Sequence, residues 1–204
     1  MFSYCGNNPV LYLDPAGTSY HHTAASIRTD AGLGEGDDYI IYYLHPESDA
    51  NLDGPALRNH TAPESNYVAV SSFDEMVSAL NNLPVNIDDV FIYVHGDEYN
   101  LCFYDALYYS ANDIGECINE IHISGEIYLF SCKGGKGNLA SAMADATNCT
   151  VIASVYKVSF GIDGARCGWE DYFRNYYKRG RYAWYSYFPD GNVVEYSIHW
   201  VCTQ

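Results

Sequence analysis

His95-Gly96 and Cys132 are the residues of this sequence best suited to covalent chemistry. An imidazole and a thiol supply what acyl transfer needs: a nucleophile whose thiolate form a neighbouring cation favours, and a group that protonates the leaving amine. Gly96 adds a backbone N–H that no side chain obstructs, and with the Cys132 N–H it would hold a developing oxyanion. Each residue type also has a plain structural role. A free cysteine usually just packs in a core, and a single histidine at a strand terminus is commonly a satisfied core residue. The glycine-rich turn after Cys132, Gly134-Gly135-x-Gly137, sets it apart from the other six cysteines by placing it at the end of an element.

Both residues close runs that read as buried strands. Val90-Phe91-Ile92-Tyr93-Val94 ends on His95-Gly96, and Glu126-Ile127-Tyr128-Leu129-Phe130 ends on Ser131-Cys132. Two adjacent parallel strands would deliver both side chains to the carboxyl edge of a sheet, where open α/β folds bind ligands. The surrounding pattern supplies such a sheet. Residues 39–44 read as a first strand and 45–66 as a loop. Ser72-Phe73-Asp74-Glu75 is a capping box, with Phe73, Met76, Val77 and Leu80 at helical spacing, so a helix is expected to stop near Asn81-Asn82. After a Tyr/Leu/Phe-rich piece at 99–109, Ser110 or Asn112 would cap a helix over 113–121. A strand at 126–131, a helix at 137–147 and a strand at 150–155 complete a βαβαβ order, which demands parallel pairing with right-handed crossovers. Residues 169–179 read as a helix, and 182–188 with 193–198 alternate like a β-hairpin across Pro189-Asp190-Gly191-Asn192. Residues 1–36 lack periodicity and read as junction and linker, so the domain proper is expected over 37–204.

The strand ending in His-Gly, followed by a strand ending in a small residue plus Cys, resembles the signature of the caspase-like (clan CD) cysteine peptidases. The stretch from Lys133 through Asn138-Leu139-Ala140 to Ser154 is similar to caspase-related domains of large secreted bacterial proteins. The likeness spans roughly residues 88–155. It implies an α/β, caspase-like three-layer sandwich with a mostly parallel central sheet and, here, a C-terminal β-hairpin. It further implies a cysteine endopeptidase with Cys132 as nucleophile and His95 as its partner, acting on a protein substrate without cofactor or metal. Ser154, Val155 and Tyr156 would form one wall of the specificity pocket. Asp97, directly after His-Gly, would favour a basic substrate side chain, against the alternative of a solvated loop.

A second resemblance lies at the front. Phe2-Ser3-Tyr4-Cys5-Gly6-Asn7-Asn8-Pro9-Val10 and Asp14-Pro15-Ala16-Gly17 resemble the last turn of an Rhs/YD-repeat core, whose variable carboxyl-terminal domain is commonly a toxin. That likeness implies an upstream Rhs/YD-repeat shell, a cognate immunity protein, and secretion or delivery from a bacterial cell under an export signal outside this sequence. Asp14 reads as a remnant of the junction. The competing expectation is a caspase fold without turnover, serving as a binding or surface-adhesion module.

Composition narrows the classes. The chain has 204 residues and a formal net charge of −16, with Lys+Arg 10 against Asp+Glu 26. So acidic a chain is a poor nucleic-acid binder, because phosphate contacts depend on basic residues. No run approaches the ~20 apolar residues of a membrane-spanning helix, and no signal peptide is visible. Seven cysteines without a Cys-x-x-Cys pair fit neither the usual zinc spacings nor a disulfide framework. His21-His22 lies in the linker and gives no metal motif, and the glycines at 134–137 lack the Gly-Lys-Ser/Thr of a phosphate loop.

Overall fold

The computed structural model describes residues 37–45, 51–53, 56, 60, 62–103, 108–161, 164–167 and 184–195. The expected junction at 1–36, His21-His22, the helix at 169–179 and half of the loop at 45–66 lie outside them. The elements in chain order are β1 (Asp37–Tyr43), a 3-10 turn (Glu64–Asn66), β2 (Tyr67–Val70), α1 (Phe73–Asn81) and β3 (Ile87–Tyr93). Then come β4 (His95–Gly96), β5 (Asn100–Cys102), β6 (Tyr108–Ser110), α2 (Ala111–Cys117) and β7 (Ile127–Phe130). The chain continues as α3 (Leu139–Thr147), β8 (Val151–Ser154), β9 (Val158–Gly161), β10 (Gly164–Cys167), β11 (Trp184–Tyr187) and β12 (Val193–Glu195).

Seven strands form one sheet in the order β2-β1-β3-β7-β8-β11-β12. The first five are parallel; β11 runs antiparallel to β8, and β12 antiparallel to β11. The expected hairpin thus completes the main sheet instead of standing apart from it. From β2 the chain crosses β1 to reach β3, then steps the same way to β7 and β8. With right-handed crossovers, three steps in one direction place α1, α2 and α3 on one face. Their contacts agree: Asn81 at the end of α1 donates from its amide to the Cys117 carbonyl (3.0 Å) and accepts from Asn119 N–H (2.9 Å). Ile121 N–H donates to Thr147 O at the end of α3 (3.1 Å). Asn81 thereby captures the carboxyl end of α2, and Ile118 is already extended, which is why the helix stops short of the expected residue 121.

The helices bury the faces that their spacing predicts. Phe73, Met76 and Leu80 of α1 are all buried, each contributing about 1.5–3 kcal/mol of apolar transfer. Ser72 Oγ accepts from Glu75 N–H (3.3 Å), but the Glu75 carboxylate reaches one residue further back than a capping box requires, to Ser71 N–H (2.6 Å) and Oγ (3.0 Å). Ser110, not Asn112, caps α2, in a reciprocal box with Asp113. Aromatic rings layer the opposite face of the sheet. Phe91 stacks on Tyr128 (centroids 4.7 Å) and Tyr93 on Phe130 (4.6 Å), while Trp184 meets Phe130 edge-on (5.4 Å). The segment crossing between β1 and β2 covers part of this layer through His60, whose ring lies 4.1 Å from Phe91. His60 Nε2 is 2.7 Å from Tyr93 Oη, and its Nδ1 faces Asp38 at 3.6 Å.

Candidate active site

The register of β3 and β7 fixes the site. Tyr93 pairs with Phe130, and Val94 N–H donates to Phe130 O (3.3 Å). His95 and Cys132 each stand two residues beyond that pair, so the two expected reactive residues leave neighbouring parallel strands at one level of the carboxyl edge. Both are partly buried. His95 is not a free strand end. The chain bends at Val94, and His95–Gly96 starts a small antiparallel sheet, β4-β5-β6, with His95 opposite Cys102 and Gly96 opposite Leu101. Sequence reasoning missed this sheet because its strands are two or three residues long.

Tyr43, the last residue of β1, orients the imidazole. Its buried ring meets His95 edge-on at 5.3 Å and lies 6.1 Å from the His45 ring and 6.0 Å from Phe103. β1 is the neighbour of β3, so its final residue stands beside the strand end that leads to His95; that position was the available signal.

Gly96 is required for packing. A Cβ on it would collide with Ser131 Oγ and lie 2.7 Å from Asn100 O, so only glycine lets β4 cross the strand end that carries Cys132. Ser131 Oγ is buried and has no hydrogen-bond partner among the described residues.

The turn after Cys132 is pinned from three sides. Lys133 adopts a left-handed conformation (φ 57°), an arrangement costing roughly 1–2 kcal/mol for a side chain of this kind. Lys133 N–H donates to Tyr156 O (2.8 Å) and Gly135 N–H to Ser154 O (2.9 Å). From β11, the Tyr187 hydroxyl donates to Gly135 O, and burial pushes its pKa up to about 12, with Tyr185 adding to the shift. On the third side Lys136 pairs with Glu98 at 2.5 Å, and Gly137 packs so closely on the Glu98 carbonyl that a Cβ could not fit. The loop after His95 and the loop after Cys132 are therefore clasped.

The remaining expected residues divide. Ser154, Val155 and Tyr156 do lie beside the thiol: the chain runs from them to Val158, whose carbonyl accepts from Cys132 Sγ at 3.5 Å. Ser154 is wholly buried and its Oγ accepts from Tyr156 N–H (3.1 Å), so it shapes the strand end. Asp97 Oδ1 turns back on its own loop, accepting from Tyr99 and Asn100 N–H at 2.8 Å each. Among the described residues every Lys lies in the turn after Cys132 or in the segment after β8 that pairs with it: Lys133, Lys136 and Lys157.

Among the described residues no group of three or more His, Cys, Asp or Glu could hold a metal ion, and no helix is long and apolar enough to cross a membrane. No protein-family model matches the chain, and no curated protein is significantly similar to it in sequence.

Proposed function

We propose that the chain is a caspase-like cysteine endopeptidase, with Cys132 as nucleophile and His95 as its partner. The observation that carries this reading is their shared level on adjacent parallel strands in a sheet ordered β2-β1-β3-β7-β8. The Cys132 thiolate attacks the scissile carbonyl, and the imidazolium of His95 protonates the departing amine; water then releases the acyl group from sulfur. The oxyanion is received by the N–H groups of Gly96 and Cys132. Tyr43 holds the imidazole, and the clasp between Glu98 and Lys136 keeps the two loops together. On the likeness of residues 2–17 to a repeat core, the domain is the delivered effector of a bacterial Rhs/YD-repeat protein, with a protein substrate and a cognate immunity protein as partners.

A second reading, a caspase fold that binds without turnover, draws on the hydrogen bond from Cys132 Sγ to Val158 O. That bond needs the thiol protonated and aims it at backbone. Cleavage of a mixed peptide library by the purified chain separates the two readings. Under the first, cleavage is blocked by a broad thiol-protease inhibitor and falls at least about a thousandfold in Cys132→Ala, while the variant melts within the ~0.5–3 kcal/mol of an ordinary point change. Cleavage that persists in a folded Cys132→Ala protein, or an unmodified wild type that cleaves nothing, sinks it.

A further inference from the structure

Cys102 has no part in the mechanism above, yet the fold pairs it in register with His95, the residue that stands level with Cys132. It lies directly opposite His95 in the β4–β5 ladder, whereas Cys132 leaves the strand beside the one that leads to His95. Both thiols are free and partly exposed. By contrast Cys149 is buried, with its thiol directed to Ile121 O and Thr147 O, and Cys117 is exposed at the far end of α2. Gly96 brings the two chain segments together: a Cβ there would strike Ser131 Oγ and lie 3.6 Å from Leu101 Cα, the residues just before Cys132 and Cys102; burial first, then Asp97 and Cys132, push the Cys102 thiol up from its ordinary pKa. Two free, partly exposed thiols brought to the two sides of one residue have the placement of a peroxide-sensitive cysteine and the cysteine that resolves it.

We propose that Cys132 and Cys102 form a reversible redox pair, with hydrogen peroxide as the oxidant. The Cys132 thiolate attacks one peroxide oxygen; sulfur is oxidised to sulfenic acid, the O–O bond breaks, and hydroxide leaves. Cys102 then attacks the sulfenic sulfur, an S–S bond forms, and the sulfenic oxygen departs as water with the Cys102 proton. Peroxide is the species reduced, and a dithiol restores both cysteines. The disulfide withdraws Cys132 from any acyl chemistry and spares it from irreversible oxidation to sulfinic acid. This inference concerns thiol chemistry alone and stands whether or not the protein turns over peptides.

Mass spectrometry of the peroxide-treated full chain tests it. No Lys or Arg lies between Arg58 and Lys133, so trypsin leaves Cys102, Cys117 and Cys132 on one peptide; cleavage after Glu98, Glu116 and Glu126 as well separates them. The expected result is a peptide of residues 99–116 cross-linked to residues 127–133, lost on reduction with dithiothreitol. In Cys102→Ser the same treatment should leave sulfenic acid at Cys132, trapped by dimedone, and then sulfinic acid that dithiothreitol does not reverse. Cys167 is in backbone register with Val158 and is the competing partner. A cross-link from Cys132 to Cys167, or wild-type Cys132 passing to sulfinic acid with no cross-link, overturns the proposal, and neither measurement depends on the variant.

Discussion

The two edges of the central sheet are built from opposite materials. At the amino edge, acids begin the strands: Asp38 in β1, Asp89 in β3 and Glu126 just before β7. They are spent on the fold. Asp89, buried, accepts from Glu126 N–H at 2.8 Å, and Gly125 must lack a side chain because a Cβ there would strike the same carboxylate. Asp38 faces His60 within the body of the protein. At the carboxyl edge the chain instead supplies backbone carbonyls, glycines, lysines and two thiols, and the contacts hold loops to one another. The amino edge spends its charge closing the barrier between strands; the carboxyl edge keeps a thiol and an imidazole at a reachable surface. Charge alone would have picked the amino edge, not the edge of the proposed site.

The comparison can be broken most sharply at Gly96. Gly96→Val pushes a branched side chain into Ser131 Oγ and Asn100 O, and overpacking of that kind should cost about 3 kcal/mol and change the rate at which iodoacetamide alkylates Cys132. A variant with an unchanged denaturation midpoint would show that β4 does not cross so closely. At the other edge, Asp89→Ala strands the Glu126 N–H and should cost about 2 kcal/mol. Asp89→Asn, which keeps an acceptor, should recover most of it. Neither change should alter the alkylation rate of Cys132 per folded molecule; if Asp89→Ala slows it, the edges are coupled and the contrast fails.

Acid titration separates the same regions by sign, with smaller effects. Bonds from Ser71 hold Glu75 below the usual carboxylate range, and bonds from Ser110 do the same for Asp113. The stability these caps add is present above the ordinary carboxylate value and lost as pH falls through their lowered ones. Burial, then Asp89, raises Glu126, so its penalty is full above its folded value and gone below the ordinary one. Glu126→Gln should therefore stabilise the protein at neutral pH by about 0.5 kcal/mol, and the gain should vanish in acid. A gain that grows as pH falls would contradict the burial of that carboxyl.

Much of this division was legible before the structure. Apolar runs gave β1, β3, β7 and β8, Ser72 gave the start of α1, and the strand-final positions of His95 and Cys132 gave the candidate site. The misses share a physical cause: pairing that depends on distant chain. Tyr67–Val70 is only four residues, yet a capped helix bound for a parallel strand needs a strand before it, and that was the unused clue. The hairpin β9–β10 and the β4-β5-β6 sheet are likewise too short for periodicity to register. Strand starts were set two residues late at Asp37 and three at Ile87, because acids are poor strand formers until a tertiary partner accepts them. Tyr43 and Cys102 became site residues only through register, which no local pattern encodes.

The hydroxyl that Tyr187 offers to the Gly135 carbonyl also has a meaning in time. β11 is made some fifty residues after the turn it steadies, the separation being 52 positions. As the polypeptide emerges from the ribosome, the five parallel strands, His95 and Cys132 are all synthesised before the peg that sets the turn beneath the thiol. On the proposed peptidase reading, the edge that carries Cys132 is therefore finished only after every parallel strand beneath it has been made.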